Sequence, residues 1–557
     1  MLVRPAGIAY AGLVAAHSRD AALSRPGGAA VAVALLSLAA ALRLWRIGWG
    51  LDEGVCFEDE RLFWLGWLSG FARPTTSCLL PGSLIYPPLY GYLSGAAFAI
   101  AVALGLVSPS AAPPHLEALF VARVVSAIAS VIGVALSGAI AKRIAGPRAG
   151  LVAMALAAVV PLDAMQVHYV SVDSLSTTIV AATLLVTLRL AGTPSLPLAA
   201  SAGLLVGLAV ATKYTAILLA VPVAWAILVE ASLEGTGIRR IAVLAAAAAL
   251  GALVGSVAGC PSCFLESHKL FGAFATHRRM VTWAGFPTDH LVPTLGWSGH
   301  PWLYQLVASL PFLLGLPLYL LVLVGVVRAV ARHDRDDRVL LAFLVAWFGV
   351  VGASRVTFAR YLLPLVPALV PLAARVLAAR PAGIAIAIVA TLYGTALSAS
   401  QVARFSWSSQ SAVAAWIQAN VRRPDDKPLS VEFVSMLKGG YYRLGDPLKR
   451  AGFDVTERQD ARWLEARPDV FVLPDWHAMT LRRDSPGSPA TRSLDRVERG
   501  ETDYVLVHSI PSRWYLQRSW DEWIDPGLAS QLYQGDLGFR VFVRRDLRPE
   551  AGLPVAP

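Results

Sequence analysis

Apolar runs dominate the first 400 residues of the chain, and short polar or charged segments separate them. About eleven of these runs approach the roughly 20 residues that a helix needs to cross a bilayer. We therefore predict a mainly α-helical, polytopic membrane domain at 29–400, preceded by a cytoplasmic tail at 1–28. The predicted spans lie near 29–47, 117–141, 149–168, 175–191, 197–213, 215–232, 239–258, 303–331, 339–354, 361–378 and 381–400.

The composition supports a membrane protein. Hydrophobic residues make up 56% of the chain and charged residues 15%, and the mean hydropathy is +0.57, which excludes an ordinary soluble globule. The net charge of +11 does not indicate nucleic-acid binding, because no basic cluster has interleaved aromatic residues. The first apolar run has no clear small-residue cleavage site, so we expect it to stay as the first helix.

One further apolar segment, 86–107, begins with Tyr86-Pro87-Pro88 and decides the topology. If the N-terminus is cytoplasmic and this segment does not cross, the later basic loops all become cytoplasmic, as the positive-inside rule requires. We therefore predict a re-entrant or interfacial segment within a first outer loop at 48–116. The basic loops concerned are Lys142–Arg148, Arg239–Arg240, Arg332–Arg338 and Arg375–Arg380.

After Gln401 charged residues become frequent and the apolar runs shrink to strand length. This pattern predicts an extracytoplasmic α/β domain at 401–557, large enough to hold its own core. The predicted buried strands are Val431–Val434, Asp469–Leu473, Tyr504–Val507 and Phe539–Val543, and Ser411–Ile417 is predicted to be an amphipathic helix.

All four cysteines fall in predicted outer loops, where an oxidising compartment permits disulfides. A Cys56–Cys78 bridge would brace the first outer loop. Cys260 and Cys263 form a lone C-x-x-C, which leaves a structural disulfide, two thiols, a redox pair or half of a metal site open.

Three carboxylates stand at the outer ends of apolar runs: Asp59 and Glu60 after the first run, and Asp173 after a later one. A charged side chain in or beside a membrane is costly and indicates function by default. Asp59 is the best candidate for a general base, with Glu60 or Asp173 as helpers. The alternative is a solvated acidic turn that opens a helix at 60–70.

Six cations also fall at outer helix ends, where the positive-inside rule predicts few: Arg43, Arg46, Arg123, Lys213, Arg355 and Arg360. They could extend to lipid headgroups. Grouped around the carboxylates, they instead indicate a cationic pocket for an anion, for which a lipid phosphate is the natural candidate.

These residues belong to short motifs that occur in a fixed order along the chain. The motifs are Phe57-Glu58-Asp59-Glu60, Tyr86-Pro87-Pro88-Leu89-Tyr90, Ala122-Arg123, His168-Tyr169 with Asp173, Gly203 with Ala211-Thr212-Lys213-Tyr214, and Ser354-Arg355 with Phe358-Ala359-Arg360-Tyr361. Their order resembles that of the polyprenyl-phosphate-dependent GT-C glycosyltransferases, which include the protein O-mannosyltransferases and the lipid A aminoarabinose transferases. The resemblance covers roughly 29–400 and, loosely, the outer domain.

The resemblance implies that Asp59 and Glu60 form the catalytic centre and that Asp173 is a second outer carboxylate. Transfer would be inverting, from a polyprenyl-phosphate-sugar donor to a lipid, glycan or protein acceptor, on the outer face of the cell (inner) membrane. The donor phosphate would contact Lys213, Arg355, Arg360, Arg123 and Tyr86, and no metal or cofactor is expected. Aminoarabinose transferases tend to carry a lysine where this chain has Tyr86.

A transporter or lipid flippase is the alternative function, since charges inside a membrane also mark substrate pathways. Against it, no inverted repeat is evident, and the charges cluster at one face instead of the midplane. A membrane-anchored scaffold whose outer domain is the working end is a third possibility.

Overall fold

The structure is a computed structural model. It describes residues 26–51, 60–108, 115–233, 235–282, 301–354, 358–406, 409–422, 427–434, 448–449, 452–458, 466–475, 478, 482, 487–511, 516 and 538–547. Two predicted site residues, Asp59 and Arg355, and one predicted disulfide partner, Cys56, lie outside these ranges.

Helices fill the membrane domain. Within the described residues, seven helices are long and apolar enough to cross a membrane, and the count rises to eight if the bent pair α11–α12 is one span. The helices are α1 Pro26–Leu44, α2 Leu89–Ala103, α3 Glu117–Ala158, α4 Pro161–Gln166, α5 Asp173–Gly192, α6 Leu196–Val210, α7 Tyr214–Leu233, α8 Ile238–Gly259, α9 Pro261–Leu265, α10 Ser267–Thr282, α11 Pro301–Leu314, α12 Leu316–Arg332, α13 Arg335–Val351, α14 Ala359–Leu377 and α15 Pro381–Ala403.

Every predicted span overlaps one of these helices, and the predicted polytopic, mainly helical fold is confirmed. Segment 86–107 forms α2, a 15-residue apolar helix. At 1.5 Å per residue α2 is about 22 Å long, shorter than the roughly 30 Å hydrocarbon core.

Helix α3 holds two predicted spans. Its 42 residues would measure about 63 Å if straight, twice the thickness of the hydrocarbon core. The helix breaks at Ala145 and Gly146, where Gly146 has φ of +85° and Pro147 follows. Gly138 lies against Gly150, so the two limbs run back along each other. The chain therefore reverses direction at the predicted basic loop.

Helices α6 and α8 pack backbone to backbone through facing glycines. A Cβ at Gly203 would collide with the Ala248 carbonyl oxygen, and one at Gly251 with that of Ala200. Since lipid tails are as apolar as leucine, close packing of small residues is what associates helices in a membrane. The same contacts show that α6 and α8 run parallel, with their N-terminal ends together.

Ion pairs join several helices at one end of the bundle. Arg338 grips the buried Glu230 carboxylate through two bonds of 2.8 and 2.6 Å. The buried carboxylate of Asp337 accepts from Arg332 at 3.0 Å and from Arg375 at 3.1 Å. These contacts tie α7, α12, α13 and α14 together at the same level.

Two further contacts extend this cluster. Arg375 bonds Asp334 at 2.6 Å, and Arg143 of the α3 turn lies 3.5 Å from Asp336. Burial alone would raise the pKa of Asp334, but the hydrogen bond from Arg375 outweighs it and the pKa lies below its ordinary value. Three of the basic loops predicted to share one side of the membrane therefore lie at one end of the bundle.

The C-terminal part contains a five-stranded mixed sheet in the order β2-β1-β3-β5-β4. Strands β1, β2 and β3 are parallel, and β5 is antiparallel to both β3 and β4. The sheet confirms the predicted α/β character of this region. The elements are β1 Ser430–Val434, β2 Asp454–Arg458, β3 Val470–Pro474, β4 Tyr504–Ile510 and β5 Phe539–Arg544, with helices α16 Ser409–Asn420 and α17 Pro489–Glu498.

The sequence analysis found four of these strands and missed β2. Its sequence Asp-Val-Thr-Glu-Arg carries one apolar residue, Val455, and it lies at the edge of the sheet beside β1. An edge strand buries little side-chain surface, so the apolar pattern that identifies central strands is absent from it.

We expect Asp337→Asn to destabilise the membrane domain by about 1–3 kcal/mol, because it leaves Arg332 and Arg375 without their shared carboxylate. Thermal unfolding of the purified protein in detergent measures the loss. Asp336→Asn is the matched control and should cost less, since the Arg143 guanidinium lies 3.5 Å from that carboxylate. Equal stability of Asp337→Asn and the parent protein would show that the cluster is not structural.

Candidate active site

The described site residues meet at the end of the bundle opposite the ion-pair cluster. Asp173 is the first residue of α5, and Gly192, its last, lies beside Arg143 and Arg335 of the cluster. The 20 residues between them span about 30 Å at 1.5 Å per residue. Carboxylates, cations and aromatic rings of five chain segments converge at the Asp173 end.

Glu60 and Arg123 form a fully buried ion pair at this end. The guanidinium donates to both carboxylate oxygens at 2.8 Å, and the backbone N–H of Val170 adds a third bond of 2.8 Å to Glu60. Arg123 also donates to the Trp49 carbonyl at 2.8 Å and lies 4.8 Å above the Trp49 ring. In this arrangement both side chains are enclosed by protein.

Asp173 and Lys213 form a second pair, next to the first. One Asp173 oxygen accepts from Lys213 at 2.6 Å and the other from the Ser171 hydroxyl at 2.6 Å. The ammonium also lies 4.6 Å from the centre of the Tyr361 ring, and the Arg360 guanidinium lies 4.5 Å above Phe358. The motifs around 173, 213 and 360, which are far apart in the sequence, thus share one place.

A small cleft opens beside Asp173. Asp173 and Arg360 supply its charged groups, Gln166 supplies an amide, and Trp64 and Tyr86 form an aromatic wall with ring centres 6.1 Å apart. The lining therefore offers a cation that suits an anion, polar groups that suit hydroxyls, and an aromatic surface that suits an apolar ring face.

Two residues in this lining were missed by the sequence analysis. Trp64 lies between the acidic motif and further aromatic residues, and no feature of the sequence distinguishes a site residue from a core residue there. Gln166 is a polar residue within the apolar stretch 149–168. An amide placed inside a predicted membrane span is a usable signal, because it needs a partner there.

The structure places the six predicted outer cations differently. Arg360 lines the cleft, Arg123 and Lys213 lie in the two ion pairs beside it, and Arg355 is outside the described residues. Arg43 is buried and bonds Asp163 at 2.6 Å and the Ala158 carbonyl at 2.8 Å, and Arg46 is exposed. The cationic pocket for a lipid phosphate stays a prediction.

Tyr214, beside Lys213, contacts the segment before α2 and helix α10. The Tyr214 hydroxyl donates to the Leu84 carbonyl at 2.8 Å, and its ring meets Phe274 of α10 at 5.0 Å. A disulfide joins Cys260 to Cys263 at the start of α9, which fits both a structural bridge and the oxidised form of a redox pair. Cys78 is buried, and its predicted pairing with Cys56 stays a prediction.

Metal ligation has no candidate among the described residues, where no three His, Cys, Asp or Glu side chains are grouped to hold an ion.

A family model for dolichyl-phosphate-mannose-protein mannosyltransferases matches residues 116–257. This stretch runs from α3 to the end of α8 and contains Arg123, Asp173 and Lys213. No curated protein matches the chain at a significant level.

The solved structures that match the chain include two named proteins. The Archaeoglobus fulgidus oligosaccharyltransferase, in complex with zinc and sulfate, is 12% identical, with a TM-score of 0.47 over 88% of this chain and 73% of that one. ArnT from Cupriavidus metallidurans, bound to undecaprenyl phosphate, is 13% identical, with a TM-score of 0.45 over 92% and 97%. The family-model match confirms, across residues 116–257, the glycosyltransferase resemblance that the motifs indicated.

Proposed function

We propose that the protein is an integral-membrane glycosyltransferase that moves a sugar from a polyprenyl-phosphate donor to an acceptor. The observation that carries this proposal is the cleft at Asp173, where a carboxylate, a guanidinium and an aromatic wall meet at one end of a membrane bundle. The match of residues 116–257 to a family named for a lipid-phosphate sugar supports it.

The lipid phosphate is assigned to the cationic side of the cleft. Arg360 lines the cleft, and Lys213 lies behind Asp173 at 2.6 Å, so the two cations hold positive potential over the space. A guanidinium suits phosphate because it donates two parallel hydrogen bonds. Tyr86 and Arg355 are proposed as further contacts to the donor phosphate, and Arg123 as an indirect one.

The reaction is a displacement at the anomeric carbon. The acceptor hydroxyl oxygen forms the new bond to that carbon while the bond to the phosphate oxygen breaks, and the phosphate leaves with the electron pair. The hydroxyl proton passes to the Asp59 carboxylate, and attack opposite the leaving group inverts the configuration. Cations beside the phosphate stabilise the negative charge that develops there.

The three carboxylates receive different roles. Asp59 is proposed as the base. Glu60 is held by Arg123 and the Val170 N–H, so we propose that this pair fixes the backbone from which Asp59 projects. Asp173 holds Lys213 and faces the cleft, where it can accept a hydrogen bond from a sugar or acceptor hydroxyl.

The cleft is proposed to lie on the extracytoplasmic side of the cell (inner) membrane, together with the C-terminal domain. The argument is the positive-inside rule. Arg143, Arg338 and Arg375, from three basic loops, lie in the ion-pair cluster at the opposite end of the bundle from the cleft.

Asp59→Asn should lower turnover, whereas Glu60→Gln should lower the stability of the fold. Asp59→Asn removes the base and should lower turnover by about 10²–10⁴, with unfolding temperature unchanged. Glu60→Gln leaves Arg123 buried without its carboxylate and should destabilise the fold by about 3–5 kcal/mol. Turnover of a purified polyprenyl-phosphate-sugar donor and thermal unfolding separate the two effects.

Asp52→Asn, in the same loop but outside the acidic motif, is the control and should leave turnover near that of the parent protein. Normal turnover in Asp59→Asn would remove this residue from the mechanism. Parent-like stability in Glu60→Gln would contradict a structural role for the buried pair.

Arg360→Gln should reduce kcat/KM for the donor by about 10²–10³, because it removes a cation from the developing phosphate charge. Arg46→Gln changes the same charge type at the same end of the bundle, outside the cleft, and should have little effect. Steady-state kinetics with varied donor provide the measurement. Equal losses in the two variants would indicate that surface charge, and not a phosphate contact, is responsible.

Cysteine labelling tests the sidedness. Arg148→Cys, in the exposed turn of α3, should react with an impermeant maleimide only after the cytoplasmic face is opened, and Glu501→Cys in the outer domain should react in intact cells. The parent protein, with its four native cysteines, is the background control. Labelling of both positions from the same face would refute the proposed topology.

A further inference from the structure

An open groove of about 710 Å³ lies between the N-terminal ends of α6 and α8. It lies far from the cleft. The loop before α6 follows Gly192, which contacts Arg143 and Arg335, and the loop before α8 follows α7, whose Glu230 bonds Arg338. The groove is therefore at the ion-pair end of the bundle, about 30 Å from Asp173 by the length of α5.

The packing of the two helices explains why the groove exists. Glycines bring α6 and α8 into backbone contact at Gly203 and Gly251, and these contacts continue toward the C-terminal ends. The glycines stop short of the N-terminal ends, where larger residues such as Leu196 and Val243 line the space between the helices. Because α6 and α8 are in close contact further along their length, they leave an open space between their N-terminal ends.

The walls of the groove are apolar and border the lipid-facing surface. Leu196 and Val243 are about half exposed, and Ile238, beside them at the start of α8, is 82% exposed. In a membrane-spanning domain, exposed residues of this kind contact acyl chains. A hydrocarbon chain can therefore enter the groove sideways from the bilayer.

Two arginines lie at the polar mouth of the groove. Arg240 donates one bond of 3.0 Å to the Pro194 carbonyl, which fixes the guanidinium across the gap between the helices. Arg239 lines the same space, and the described residues that line the groove include no Asp or Glu. An arginine fork held in place beside a second one favours a phosphate group.

We propose that this groove binds an anionic phospholipid of the leaflet opposite the cleft. Its phosphate would sit between Arg239 and Arg240 and one acyl chain would lie along Leu196, Val243 and Leu244. The site is distinct from the donor site in position and in leaflet. Bound lipid would bridge α6 and α8 at the end where their glycine contacts stop.

The test is native mass spectrometry of the full-length protein in detergent, titrated with phosphatidylglycerol. The double variant Arg239→Gln/Arg240→Gln should bind at least about tenfold more weakly, since it removes the charge-assisted hydrogen bonds to the phosphate. The control Arg148→Gln/Arg380→Gln removes two exposed arginines outside the groove and should bind like the parent protein.

A second variant tests the groove in case the double arginine variant does not fold. Val243→Trp fills the groove and keeps both arginines, so it should also weaken binding while thermal unfolding stays unchanged. Phosphatidylcholine should bind more weakly than phosphatidylglycerol, and millimolar inorganic phosphate should not displace the lipid. The proposal is overturned by parent-like binding in either groove variant, by equal loss in the control, or by displacement with phosphate. The readout is binding alone, so it does not depend on sugar transfer.

Discussion

The buried ion pair between Glu60 and Arg123 holds together the end of the helical bundle that contains the cleft. Three parts of the chain meet at it: the start of the first outer loop, the first limb of α3, and the loop that leads to Asp173. Two charges enclosed by protein are tolerated only when every strong hydrogen-bonding group is matched, and here the carboxylate accepts three bonds and the guanidinium also reaches two carbonyls. The pair therefore specifies one arrangement of these segments.

The position of the cleft follows from that arrangement. Val170 donates to Glu60 three residues before Asp173, so the pair also sets where α5 begins. Asp173 then meets Lys213 from the end of α6, and Arg360 from the start of α14 closes the lining. A change at Glu60 would therefore reach the cleft through the backbone that it holds, in addition to lowering the stability of the fold.

Charge is segregated to the two ends of the bundle, and each end uses it differently. At one end, three arginines form ion pairs with four carboxylates, and these pairs hold the loops together. The residues are Arg338, Arg375 and Arg143 with Glu230, Asp334, Asp336 and Asp337. At the other end, Arg123 and Lys213 are paired with Glu60 and Asp173, and Arg360 lines the cleft beside them. Between the ends, glycine and alanine packing replaces polar contacts, because lipid offers no hydrophobic force to press helices together.

The sequence by itself determined the class of the protein, the placement of its apolar runs, four of the five described strands and the order of the site motifs. These features depend on local pattern, namely the length and composition of each apolar run and the charges at its ends. The short edge strand β2 was not predicted because it contains one apolar residue, Val455.

Only the tertiary structure decided which charged residues meet. Arg43 and Arg123 stand at outer helix ends in the same way in the sequence, yet one bonds Asp163 and the other Glu60, and neither lines the cleft. Trp64 and Gln166 enter the lining through the packing of the first outer loop against the loop before α5. A partner for a buried charge is chosen by three-dimensional distance and by the cost of leaving any charge unmatched, and a linear pattern contains neither quantity.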